Sequence, residues 1–196
     1  KYGKDLARTV PSGMQQIWVP SMSRADRCVT CHQATNWKGF ETSDHPFRTH
    51  PPEILKTHPP ETYGCTACHG GQGEATTWRG AAHQAIPEWP EPMASRELME
   101  ARCGTCHKER RPKGTDWLDR GRALMADRNC VACHEVPGHD VAEVRSPRLD
   151  GLLVKVSPAW LRGWLKKPRG YLPKSRMGDF RLSDRDVEAL TAFLLQ

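Results

Sequence analysis

The sequence predicts a mostly α fold with abundant loop, built in two parts. Residues 1–114 read as a loop-rich module wrapped around bound groups, and residues 115–196 as a small all-α domain. Three observations carry this expectation. Leu, Ile, Val and Phe together number only 32 of 196 residues, below the roughly one-fifth that usually sustains an aliphatic core. Seven Trp and eight Cys are nevertheless present, so disulfides, metals or large prosthetic groups must supply what apolar burial does not. Finally, Pro and Gly crowd residues 30–92 (Pro46, Pro51, Pro52, Pro59, Pro60, Gly70, Gly71 and Gly73), whereas beyond Thr115 apolar residues recur at helical spacing. No apolar run is long enough to span a bilayer.

All eight cysteines fall into four copies of one pattern, and none is left over. The copies are Cys28-Val-Thr-Cys31-His32, Cys65-Thr-Ala-Cys68-His69, Cys103-Gly-Thr-Cys106-His107 and Cys130-Val-Ala-Cys133-His134. C-x-x-C-H is the attachment pattern of a c-type haem. Two thiols three positions apart add across the two vinyl groups of one porphyrin. The adjacent histidine is then held under the ring, where its imidazole ligates the iron. A redox dithiol would need a βαβ setting, which is missing, and zinc knuckles do not require His directly after the second Cys. A disulfide framework would not repeat one spacing four times. The sequence therefore predicts four covalently attached haem c groups, each bringing one iron, with His32, His69, His107 and His134 as proximal ligands.

Element by element, residues 30–92 exclude long helices and predict loops and one-turn helices. Residues 92–106 read as more helical, with Leu98 and Met99 on one side. Arg110-Arg111-Pro112-Lys113-Gly114 is a polar linker and marks the boundary. Asp116 to Met125 reads as an amphipathic helix leading into the fourth motif. Ser157 and Pro158 form an N-cap and first-turn pair for a helix that Pro168 stops. Ser183 caps a last helix whose Val187, Leu190, Phe193 and Leu194 share one face.

The order helix, C-x-x-C-H, Ser-Pro-Arg-Leu-Asp-Gly-Leu, middle helix, Met-Gly-Asp-Phe and terminal helix resembles a monohaem class I cytochrome c over residues 115–196. The resemblance implies that Met177 supplies the second iron ligand of the fourth haem. It also implies that the Pro147 carbonyl receives the Nδ1 hydrogen of His134. The family commonly has Pro after this methionine, whereas Gly178 stands here, which implies a looser loop. Residues 1–114 resemble the trihaem part of membrane-associated respiratory multihaem cytochromes. That likeness rests on Asp26-Arg27-Cys28, on His45-Pro46-Phe47-Arg48-Thr49-His50-Pro51, on Gly64-Cys65 through Gln72-Gly73, and on Ala82-His83.

Four irons need four further ligands if all are to be closed. Three low-spin irons in the first part call on the histidines outside the motifs, and His50, His58 and His83 are the favoured distal ligands, with His45 in reserve for His50. His139 follows His134 too closely to cross its own ring and is expected in solvent. The other methionines read as packing residues. With as many candidate ligands as sites, no iron is forced to stay open, which favours an electron carrier over a haem enzyme. Two rivals stand beside it: a multihaem redox enzyme with one open-coordinate haem, and a structural subunit of a membrane complex or filament.

Formal charge is +6 but unevenly placed. Residues 53–100 hold seven acids against three bases, and residues 145–181 hold ten bases against two acids. The second stretch suits an acidic redox partner protein. No nucleic-acid motif accompanies it, so nucleic acid is not an expected partner. Covalent haem attachment places the chain in the periplasm or another extracytoplasmic compartment. The chain begins at Lys1 without an apolar leader, so a signal segment or membrane anchor is expected upstream of Lys1, compatible with a place in a respiratory complex.

Overall fold

The computed structural model describes residues 8–107, 112–135 and 146–196. The chain is helix-rich with little strand, and it divides into two compact units, Lys1–Met93 and Ala94–Gln196. Among the described residues no helix is long and apolar enough to cross a membrane.

The first unit opens with a hairpin of β1 (Ile17–Val19) and β2 (Arg24–Asp26), paired antiparallel with Trp18 opposite Ala25 and Val19 opposite Arg24. Three-residue strands are too short for an alternating pattern to show, which is why the sequence did not announce them. Downstream lie only short helices: α1 (Pro52–Thr57), α2 (Pro60–Tyr63) and α3 (Thr66–His69). Proline opens α1 and α2, because its φ is preset and its missing N–H would have been unpaired there. Gly64, at φ 68°, ends α2 in a conformation that disfavours a Cβ. The buried apolar residues of this unit are Val19, Ala25, Ala34, Phe40 and Ala82, while Trp18, Phe47, Ile54 and Trp78 face outward. That is little burial for a unit of this length.

The second unit has a core of its own. It contains α4 (Arg96–Cys106), α5 (Asp116–Asp127), α6 (Pro158–Lys166), α7 (Pro168–Tyr171) and α8 (Asp184–Leu194). Serine caps three of them: Ser95 Oγ accepts from Leu98 N at 3.3 Å, Ser157 Oγ from Trp160 N at 3.2 Å, and Ser183 Oγ from Asp186 N at 3.2 Å. At Ser183 the cap is reciprocal, since the Asp186 carboxylate accepts in turn from the Ser183 backbone. Val187, Leu190, Phe193 and Leu194 of α8 are all buried, as their spacing predicts. α5 crosses α8 at Gly121, where a Cβ would lie 2.3 Å from the Ala189 carbonyl oxygen and 2.5 Å from Phe193 Cβ. Only glycine permits that approach. Of the remaining methionines Met125 is buried, but Met14 and Met22 are exposed and do not pack.

The division differs from the boundary that the linker suggested at 114/115. α4 packs with the second unit: Leu98 and Ala101 are buried in the core that α8 completes. The Glu100 carboxylate also accepts from Trp117 N at 2.8 Å and Leu118 N at 3.2 Å, capping the first turn of α5. A polar linker marks a chain junction, yet it says nothing of which core the preceding helix joins. Each unit thus carries two C-x-x-C-H motifs. Arg110, Arg111, His139 and Arg145 lie outside the described residues.

Candidate haem-attachment sites

The four motifs fold into the same turn. In each, the histidine N–H donates to the carbonyl of the first cysteine: His32 to Cys28 at 2.9 Å, His69 to Cys65 at 3.0 Å, His107 to Cys103 at 2.9 Å, and His134 to Cys130 at 3.0 Å. One helical turn sets positions i, i+3 and i+4 on one side, so both sulfurs and the imidazole share a face. No disulfide joins any of the eight cysteines, and each is partly or fully exposed. The arrangement suits a flat group bonded at two edge carbons and ligated at its centre.

Ring geometry shows which of the expected distal histidines lie beside a motif histidine. Two imidazoles bound through nitrogen to opposite faces of one metal ion, at bonds of about 2 Å, hold their ring centres about 6 Å apart. His83 lies 6.0 Å from His32, with the rings 28° from parallel, and His50 lies 6.1 Å from His69. His45, the expected reserve for His50, instead lies 6.3 Å from His32. The reason is the folding of its loop: Thr49 N donates to Phe40 O at 3.2 Å and His50 N to Thr35 O at 3.0 Å, which separates the two histidines onto different neighbours. The candidate ligands also have Nδ1 engaged, leaving Nε2 for a metal. Nδ1 of His83 meets Trp78 O at 3.2 Å, that of His50 meets Pro51 O at 3.0 Å, and that of His58 meets Thr57 Oγ1 at 3.0 Å. The His58 ring packs 5.5 Å from Tyr63, and the Trp78 indole lies parallel to the His83 ring at 5.6 Å. Burial first, and then the neighbouring His83, His45 and His69, push the His32 imidazole below its ordinary pKa. That shift favours the neutral imidazole, the form that ligates.

One residue without an assigned role in the sequence is buried against both motifs of the first unit. Asp26 is 1% exposed and binds both first-unit motifs. Its Oδ1 accepts from Cys28 N at 3.1 Å, and its Oδ2 from Cys65 N at 2.8 Å, Thr66 N at 2.9 Å and Thr66 Oγ1 at 3.1 Å. Burial raises its carboxyl, but a hydrogen bond from the Cys28 thiol, and then those from the Thr66, Cys28 and Cys65 backbone, outweigh burial and hold it below the ordinary value. Ligand atoms of Asp26, Cys28 and Cys65 lie within 4.8 Å of one another. A hydrogen bond with the Cys65 sulfur, followed by burial and the carboxylate, pushes the Cys28 thiol up.

At the fourth motif His134 Nδ1 lies 2.9 Å from the Pro147 carbonyl oxygen, the contact that the resemblance implied. Met177 is half-buried against the second unit's core, and its Sδ accepts from Trp164 Nε1 at 3.0 Å. Trp164 stacks on Trp160 with ring centres 5.3 Å apart. No side chain at Gly178 would meet a neighbour, so the glycine is not demanded by space. Asp26, Trp78 and Trp164 are the residues that sequence reasoning missed. The only signal was Asp26 standing two positions before Cys28.

No curated protein matches the chain. Residues 118–196 match the sequence model of the family described as Cytochrome c. That family implies covalently bound haem c and haem-based electron transfer at the Cys130–His134 motif. Over residues 118–196, fewer than half of the chain, the C-terminal part is similar to a cytochrome c domain.

Proposed function

We propose that the whole chain is an extracytoplasmic electron carrier with four haem c sites. Cys28 and Cys31, Cys65 and Cys68, Cys103 and Cys106, and Cys130 and Cys133 would hold the groups. His32, His69, His107 and His134 would bind the irons from one side. His50, His58, His83 and Met177 would close the other side. Bound haem c supplies an iron that passes between ferrous and ferric states. The protein's share is to fix that iron in closed coordination and to keep water and small substrates from its sixth position. The pairing of His83 with His32 and of His50 with His69, both at axial-ligand spacing, is the observation that carries this reading.

Ligand type sets the direction. Histidine pairs favour the ferric state relative to a histidine–thioether pair, so reducing equivalents should settle in the C-terminal domain. Electrons would enter through the first three sites and leave at the fourth toward an acidic redox partner. The bases open to such a partner include Lys167, Lys174 and Arg176, all exposed. Arg162 is paired with Glu188 at 2.8 Å, and Lys166 with Asp184. A fixed place in a respiratory membrane complex fits the same chemistry.

The deciding experiment is intact mass together with a potentiometric titration followed by EPR. Four haems, only low-spin ferric signals and one potential well above the other three are expected. A high-spin ferric signal from the first three sites would replace the carrier with a multihaem redox enzyme.

A further inference from the structure

Asp26 is a single buried carboxylate shared by two attachment motifs that lie 37 positions apart in the chain. It ends β2, and its two oxygens cap the first turns of both: Cys28 on one side, Cys65 and Thr66 on the other. The fold is cut to fit it. A Cβ at Gly64 would lie 2.9 Å from Asp26 Oδ2 and 2.9 Å from Val19 Cγ2, and one at Gly73 would lie 3.4 Å from Asp26 Cα. Four groups on its oxygens are neutral N–H or O–H donors, and the Cys28 thiol, also neutral, is a fifth. They leave the carboxylate no acceptor to which it could offer a proton, and they supply no compensating positive charge. The neighbouring Arg27 points away, its guanidinium bonding Gln16 Oε1 at 2.9 Å and the Glu74 carbonyl.

We propose that Asp26 is a positioning residue that joins the first two haem sites into one unit and holds both irons toward the ferric state. The inference rests on reading Cys28–His32 and Cys65–His69 as haem sites. The carboxylate brings the sulfurs of Cys28 and Cys65 within 4.8 Å of each other, so two groups bonded there are attached side by side. A negative charge buried against both attachment turns would stabilise the ferric, more positive state of irons held there, and low local polarity would make this stronger than the same charge in water. The first two sites would therefore be matched in potential and lowered together.

The test compares Asp26→Asn and Thr66→Val with the wild-type holoprotein. Haem is first counted by intact mass, and the four potentials are then read by titration with EPR. Asp26→Asn removes the charge and keeps the shape, so two of the four potentials should rise, each by about a tenfold shift in the ferrous/ferric ratio, or about 59 mV for one electron. Thr66→Val keeps the shape but removes one donor from the carboxylate, leaving its charge less neutralised, so the same two potentials should fall. A merely structural role would not produce opposite shifts confined to one pair. Potentials that stay in place in both variants, or four that move alike, would overturn the inference. If Asp26→Asn does not accumulate as holoprotein, Thr66→Val decides alone. A wild-type chain lacking haem at either of the two motifs would instead overturn the tetrahaem reading.

Discussion

At the scale of single residues, the proposed ligands differ in how firmly their rings are oriented. His83 has its Nδ1 held by the Trp78 carbonyl and its ring stacked on that indole, while His45 stands at a similar distance from His32 with a steeper ring angle, 66°. An oriented ring loses less freedom on binding metal. His83→Ala should therefore expose one ferric iron as a high-spin EPR fraction, whereas His45→Ala should leave four low-spin irons. The reverse result would exchange the two assignments. At the fourth site a thioether prefers the ferrous ion. Met177→His should lower the highest potential and leave the other three in place, and Met177→Ala should give a high-spin fraction with loss of the sulfur-to-iron charge-transfer band. Trp164 donates to the same sulfur and draws electron density from it. Trp164→Phe should lower that one potential too, by less than Met177→His does. If neither Met177 variant changes the titration, the residue only packs.

At the scale of elements, the second unit is held by capped helices on an apolar core, and one capping carboxylate contributes to its acid stability. Burial raises the Asp186 carboxyl, but hydrogen bonds from Ser183 and the Arg120 guanidinium outweigh it and hold the group below its ordinary 3.8. The folded form then binds this proton less tightly than the unfolded form. The contribution is complete above the ordinary value and is lost as pH falls through the lower folded value. Denaturant unfolding of the C-terminal domain, followed from about pH 6 down to about pH 2, should show this acid loss, and Asp186→Asn should flatten it. An unchanged slope would mean that the cap is already open in solution. The elements of the first unit have no comparable support: α1, α2 and α3 run for six, four and four residues, far short of what stands alone in water.

At the scale of the whole molecule, the two units should part company when haem is withheld. Among the described residues, the first unit's five buried apolar residues, three of them alanine, do not offset its ordering, whereas α5, α6 and α8 bring a core of their own. In haem-free chain, limited proteolysis should cut first within residues 8–93 and later within 146–196. Equal resistance of both, or a compact first unit, would show that the first unit folds without its groups. The exposed bases of the C-terminal domain make a second prediction. Electron-transfer rates with an acidic partner should fall as ionic strength rises, and charge reversal at Lys167 and Lys174 together should slow association while potentials stay fixed. Rates indifferent to both would move the exit surface elsewhere.

What could be read from the sequence follows the distance over which each feature is encoded. C-x-x-C-H is complete within five positions, and so is the turn that carries it. This is why the four motifs were legible and why all four copies fold alike. Ser157 and Ser183 sit beside the helices they cap, and the apolar face of α8 repeats at helical period, so these too were visible in the chain. The pairings had to wait for the fold. His83 is 51 positions from His32, and Cys65 is 39 from Asp26, and no local pattern says which histidine of several will arrive. The boundary at Met93 and Ala94 likewise depends on where the apolar face of α4 is buried, whereas the linker at 110–114 records only that the chain is polar there. The local motifs and their turns were determined by the sequence itself. Which histidines lie beside which motif, and which carboxylate bonds two motifs, was decided by tertiary structure, because burial and hydrogen bonding choose among partners that the sequence holds far apart.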